Sequence, residues 1–388
     1  MSKKRLFLIA CPIYLLFYMG DALLSSYYGI YFVSRELGAN QRSLLLAIIP
    51  FALFGGCLLF SYLAKTPKRA LWLFRLCAFL ETVLVLSYPF CETFAPLLVI
   101  TSLLGFFNGA PFALIEGYLV PLVRQKGGNY STIRIFGSLG YIVSLGLGFF
   151  LLRDLPVKDC YFFSTAFFAL SLVLSFFLRY EEIETEEQKD EGHKTVFGRS
   201  GRIYIESQFL LFGAYNASLY VLPLQLHDLS FGDEYYSLAR SIAVAAELGM
   251  LLLMPLLSKL LRNKKTMLYI GMGLITVSTI FPCFVTNPWA LAYGNLIVGH
   301  IGKAFLFAFE ALFLIEVVGK ESLGRVLTIK VGGYNFSTAV LNLLSGAVSQ
   351  SWGYRGYFLL LLGMEVLGIA LFAFVRPQKI NTIMSQKA

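Results

Sequence analysis

Thr132-Ile133-Arg134-Ile135-Phe136-Gly137 places a cation inside an apolar run, and Thr328-Ile329-Lys330-Val331-Gly332-Gly333 places another in the same register. The spacing, about 195 residues, is shared by other pairs, which is how an internal duplication reads. Lys68-Arg69 matches Lys264-Lys265, Glu116 matches Glu310, and Asp21-Ala22 matches Asn216-Ala217. Any one match is weak; their common offset makes the chain two copies of one unit.

Outward from the repeat, the chain is apolar nearly throughout. Of 388 residues 57% are hydrophobic and only 14% charged, whereas soluble domains average about 25% charge. Stretches long enough to cross a bilayer lie near 6–33, 42–64, 69–90, 94–122, 131–152 and 159–179. Six more lie near 203–226, 235–259, 265–286, 289–318, 323–350 and 354–376. Turn-forming breaks separate them, among them Gly38-Ala39-Asn40-Gln41, Thr66-Pro67-Lys68, Gly127-Gly128-Asn129, Asn263-Lys264-Lys265 and Asn287-Pro288. The most polar segment, Glu181 to Arg202, divides the chain into a first bundle over 1–180, a charged linker over 181–202 and a second bundle over 203–388. The expected fold class is therefore all-α integral membrane, with twelve transmembrane helices in two pseudo-symmetric six-helix bundles.

The net charge of +9 has a topological reading. With both termini inside, Lys65, Lys68, Arg69, Arg124, Lys126, Lys259, Arg262, Lys264, Lys265 and Arg325 fall on the cytoplasmic side, as the positive-inside rule requires. That location replaces a nucleic-acid reading, and no nucleic-acid partner is expected. Leu8-Ile9-Ala10-Cys11 resembles a lipoprotein cleavage box, but too few apolar residues precede Cys11 for an export signal. The six cysteines lack metal-type spacing and read as packing residues. With three histidines and no phosphate loop or nucleophile-and-base arrangement, an enzyme is not expected, nor is a cofactor or metal.

Charged residues within the spans are the candidate site, because a charge at mid-bilayer costs about 2.5–3.5 kcal/mol on insertion scales and needs a partner or water. Glu116 and Arg134 lie at comparable depth on spans 4 and 5, and Glu310 and Lys330 repeat that arrangement on spans 10 and 11. Either pair could simply staple its hairpin; their symmetry favours a shared central cavity. A guanidinium can grip hydroxyl or carboxylate oxygens through its fork, which Lys330 cannot do. Asp21 lies near the middle of span 1, with Tyr18 on a neighbouring face. On span 10, Lys303 is too far along the axis from Glu310 to pair with it, so another span, water or solute must satisfy it. His300 could hold a proton or pack as a neutral ring. Glu247 is central in span 8. Glu81 and Glu365 have no evident mate and read as structural, Glu206 as solvated, and Gly105-Phe106-Phe107-Asn108-Gly109 as a close-packing stripe.

Twelve spans, the duplication and basic loops 2–3 and 8–9 together resemble the major facilitator superfamily over essentially the whole chain. Its loop 2–3 signature survives only as the basic residues of Leu63-Ala64-Lys65-Thr66-Pro67-Lys68-Arg69. The run Tyr130-Ser131-Thr132-Ile133-Arg134-Ile135-Phe136-Gly137-Ser138-Leu139-Gly140-Tyr141 is similar to span 5 of the lactose permease, nucleoside:proton and phenylpropionate:proton symporter group. The resemblance implies that Arg134 works with a carboxylate on span 4, where Glu116 stands, and that Tyr141 occupies the place of a sugar-stacking aromatic residue. Glu247 with Met254-Pro255-Leu256-Leu257-Ser258-Lys259 looks like span 8 of the nucleoside symporters. Lactose permease has His-x-x-Glu on span 10; this chain has His300-Ile301-Gly302-Lys303, and lysine cannot replace that acid.

The sequence thus points to a secondary active transporter in the cytoplasmic membrane, a monomer importing a small polar solute such as a sugar or nucleoside with protons by alternating access. Glu116, Arg134, Tyr141, Asn216, Lys303 and Lys330 are the expected solute-binding residues. Asp21, Glu247, His300 and Glu310 are the expected proton-coupling groups. An efflux pump of the same fold, or a non-transporting receptor or scaffold, is the alternative.

Overall fold

The computed structural model describes residues 2–178, 180–181, 198–260 and 263–377. Most of the segment read as the linker, 182–197, and the C-terminal end, 378–388, lie outside the described residues. Among the described residues every regular element is helical. The first half runs α1 (Lys3–Ser26), α2 (Tyr28–Ser34), α3 (Ala39–Leu63), α4 (Pro67–Ser87), α5 (Phe94–Asn108), α6 (Pro111–Gln125), α7 (Tyr130–Asp154) and α8 (Val157–Ser175). The second runs α9 (Arg199–Asp228), α10 (Asp233–Leu260), α11 (Lys264–Phe284), α12 (Pro288–Val318) and α13 (Lys320–Phe372).

These helices make twelve membrane crossings in two six-helix bundles. The segment Ser322–Phe372, 51 residues of it, is too long for one crossing. It turns at Gly353, whose φ of 69° lies in the left-handed region that glycine alone adopts without strain. The Tyr357 hydroxyl then donates back to the Leu341 carbonyl at 3.3 Å across that turn. Two expected continuous spans are interrupted instead. Span 1 breaks at Tyr27, between α1 and α2. Span 4 breaks at Gly109-Ala110, because Pro111 has no N–H for the ladder and disfavours helix at the residue before it. Helix α9 begins at Arg199, inside the stretch read as linker, while α8 and α13 end at Ser175 and Phe372, short of the expected limits.

The turn signals act as helix caps. The Thr66 hydroxyl accepts from the Arg69 N–H at 3.3 Å ahead of Pro67, and the Asn287 side-chain oxygen Oδ1 accepts from the Trp289 and Ala290 N–H groups ahead of Pro288. Asn129 and Asn263 cap α7 and α11 likewise. The glycine stripe does bring backbones together. A Cβ on Gly56, Gly105 or Gly109 would strike the carbonyl of Phe106, Ile49 or Leu53, so spans 2 and 4 meet main chain to main chain.

Hydrogen bonds that join the two halves among the described residues gather toward one end, the end bearing the α2–α3 and α9–α10 turns. Ser43 meets Ser345 at 3.1 Å, Asn342 donates to the Leu46 carbonyl at 3.0 Å, and Ser237 and Ser241 donate to the carbonyls of Leu145 and Ile142. Tyr27 meets Ser237 there as well. At the other end, ties recorded among the described residues stay within a half: Lys3 to the Gly127 carbonyl, Lys264 to Glu316.

Candidate functional site

The charged side chains inside the spans gather in separate clusters. In the first half, Arg134 on α7 approaches Glu116 on α6 through one nitrogen at 3.6 Å. Glu116 also accepts from the Tyr130 hydroxyl at 2.9 Å, and Tyr130 is linked to Tyr14 at 2.6 Å. The guanidinium lies 5.2 Å from the Tyr18 ring, a geometry suited to cation–π attraction. Both charged side chains stay accessible, at 51% and 37%. Arg134 is within electrostatic reach of Glu247 in the other half.

The repeat-related pair is built differently. Lys330 on α13 donates to both Glu310 oxygens, at 2.6 and 2.8 Å, and Tyr204 on α9 donates to the same carboxylate. Only 6% and 9% of the two side chains is accessible. Phe212 and Tyr334 lie over the ammonium at 5.3 and 5.8 Å. Both expected pairings therefore form, one loose and open, the other tight and sealed.

Lys303 finds its mate on another span. Glu247 on α10 sends one oxygen, Oε2, to His300 Nδ1 at 2.6 Å and to Lys303 Nζ at 3.3 Å. This orders the acid of span 8 against both polar residues of span 10. The other ring nitrogen, His300 Nε2, is buried without a partner among the described residues. Asn216 lies half-buried on α9 with no hydrogen-bond partner among the described residues. Tyr141 is not presented freely: its hydroxyl meets Ser25 at 3.0 Å and receives the Arg240 guanidinium at 3.3 Å.

Glu81 and Glu365 do have mates, against the sequence reading. Asn108 Nδ2 donates to Asp21 at 3.1 Å and to Glu81 at 2.6 Å, and Thr279 donates to Glu365 at 2.8 Å. Sequence reasoning also passed over Arg240, which donates to Tyr236 at 2.9 Å and is within electrostatic reach of Asp21 and His300. Its signal was available: it stands two helical turns before Glu247, on the same face of α10. A cavity of about 390 Å³ bordered by Cys57, Ser61, Lys65, Thr66, Gly117 and Pro121 belongs to the first bundle and contacts none of these clusters.

Comparison with known proteins covers most of the chain. The profile of the family described as MFS_1 like matches residues 9–360. The uncharacterized transporter YwbF of Bacillus subtilis (strain 168) is 19% identical over 285 residues, covering 72% of this chain and 68% of that one. The fold is similar to that of the nucleoside transporter NupG, with a TM-score of 0.77 and 16% identity over 96% of this chain and 99% of that one. It is similar also to the inward open conformation of the xylose transporter XylE from E. coli, with a TM-score of 0.73 and 15% identity over 98% of each chain.

Proposed function

The chain belongs to the MFS_1-like family, one of transporters and not of enzymes, and from that premise we propose proton-coupled import of a small polar solute, a sugar or nucleoside, by alternating access. The observation that supports this most is the seam itself. Arg134 with Glu116 from one half, and Glu247 with His300 and Lys303 from the other, form incomplete polar clusters within electrostatic reach of each other. Groups so placed can clasp a hydroxylated solute between rocking bundles, and each cluster retains a spare donor or acceptor, the rest of the Arg134 fork in one and His300 Nε2 in the other. Lys330 and Glu310 serve the same cycle by opening and closing a sealed contact, with Glu310, Asp21, Glu247 and His300 as the groups a proton would visit. The fold was likewise found for a crystal structure described as that of a D-xylose-proton symporter, with a TM-score of 0.71 and 16% identity.

By the positive-inside rule both termini and the end bearing Lys3 and Lys264 face the cytosol, and the end where the halves are hydrogen-bonded faces outward. The chain then stands closed to the outside, as a monomer in the cytoplasmic membrane. Purified protein in liposomes should accumulate labelled D-xylose or uridine when the lumen is made alkaline, and a protonophore should abolish that accumulation. Equilibration without accumulation would refute proton coupling, and accumulation only under the reversed gradient would make the protein an exporter.

A further inference from the structure

Away from the pairs at the seam, two carboxyl groups share one nitrogen. Asn108, the last residue of α5, stands where span 4 is interrupted, and its amide sends one hydrogen to Asp21 on α1 and the other to Glu81 on α4. Glu81 is completely buried, and its second oxygen has no hydrogen-bond partner among the described residues. Among the described residues no cation lies within salt-bridge distance of either acid. Asp21 differs in being half-buried, at a position from which the Arg240 charge on α10 is felt across the seam.

A neutral amide can satisfy one oxygen of each carboxyl but neutralises neither. Two like charges that close, one sealed among apolar side chains, cannot both persist. The bare Glu81 Oε2 is where an O–H would sit, since every other polar atom of the cluster already has a partner or an outlet. Among the described residues, the remaining titratable groups that reach the pair are Tyr28 of α2, Cys77 of α4 and Tyr220 of α9, with Arg240 of α10 the single cation. Packed beside them, α8 presents Ser164, which donates to the Gly20 carbonyl, and the Phe168 ring at the same level.

We propose that Asp21, Asn108 and Glu81 form a proton-binding site of the first bundle, in which Glu81 holds one proton at neutral pH and Asp21 exchanges a second with water at the seam. Asn108 is a positioning residue: it fixes the two acids and, by donating to both, leaves the Glu81 proton on the outer oxygen. When Asp21 takes its proton its charge goes from minus one to zero, and the attraction between it and Arg240 disappears. Protonation on one half thereby loosens the other half at the end where the two are joined. This assignment rests on the proton-coupled reading above, and it adds Glu81 and Asn108 to that coupling.

Infrared spectroscopy of the purified full chain in liposomes, titrated from acid to alkaline pH, tests it without any solute. A protonated-carboxyl band present at neutral pH should vanish in Glu81→Gln, and a second band growing on acidification should vanish in Asp21→Asn. Since glutamine mimics a protonated glutamate, Glu81→Gln should leave the midpoint of the second band where it was, while Asn108→Leu should move it. If the glutamine variant is not recovered folded, Glu81→Asp should shift the neutral-pH band instead of removing it. The proposal is overturned if the neutral-pH band survives Glu81→Gln, if that variant lowers the Asp21 midpoint, or if sodium ions displace the protons. Failure of pH-driven uptake would leave these spectra as they are, and an ionised Glu81 would leave uptake as it is, so the two readings fail separately.

Discussion

The Glu116–Arg134 and Glu310–Lys330 pairs occupy matching places in the duplicated halves, yet their surroundings are opposite. In the first half a forked cation makes one long contact, 3.6 Å, beside the half-buried Tyr18 ring. In the second, a point charge bonds both oxygens of a carboxylate that a tyrosine also feeds, beneath two aromatic rings. A duplication therefore preserves where charges go but not what holds them. Open pairs have donors to spare for a solute, and sealed pairs have none until something moves.

Removing one partner from each pair should break this symmetry hardest. Lys330→Ala leaves Glu310 buried with only the Tyr204 hydroxyl, and loss of one member of a buried pair costs about 3–5 kcal/mol. Arg134→Ala breaks an accessible pair, worth under about 1 kcal/mol. Denaturant unfolding in detergent should show that gap, while uptake assays should show Arg134→Ala inactive despite its intact fold. Equal destabilisation by the two variants would mean the pairs are not open and sealed in the way described.

A double replacement sharpens the contrast with a smaller effect on stability. Glu310→Leu together with Lys330→Met exchanges an ion pair for apolar side chains of similar volume, which is often neutral or better. The double variant should unfold within about 1 kcal/mol of the parent chain, yet transport no solute against its gradient, because the mobile contact and its acid are gone. Restored accumulation would reduce this pair to packing.

Much of this architecture is legible in the amino-acid order alone. The period of the apolar runs marks the spans, and the caps at Thr66, Asn263 and Asn287 follow directly from the turn chemistry written in the sequence. The two repeat-related pairs are legible because depth along a helix is a count of residues. What cannot be read that way is lateral placement. Glu247 meets His300 and Lys303 because α10 packs on α12, and no single-span count reveals which helix is the neighbour. Asn108 is hidden for a different reason: it sits among glycines whose packing role is real, and only the break at Pro111 shows that its amide is free to turn toward α1 and α4. Arg240 is concealed by its partners, since a cation satisfied by tyrosine hydroxyls leaves no matching acid to search for.

The smallest difference should come from the tyrosines that feed each carboxylate. Tyr130→Phe removes a donor from Glu116, whose accessible oxygens can take water instead, so its cost should stay near the net worth of one hydrogen bond, about 0.5–1.5 kcal/mol. Tyr204→Phe removes a donor from Glu310, which is buried in the closed pair, and a hydrogen bond to a buried charge is worth about 1.5–3 kcal/mol. Unfolding of the two variants side by side measures how well each site is solvated, independently of any solute. A larger loss for Tyr130→Phe would place the water on the other side of the molecule. The sealed pair would then have to be sought in the first half, and the solute's contacts in the second.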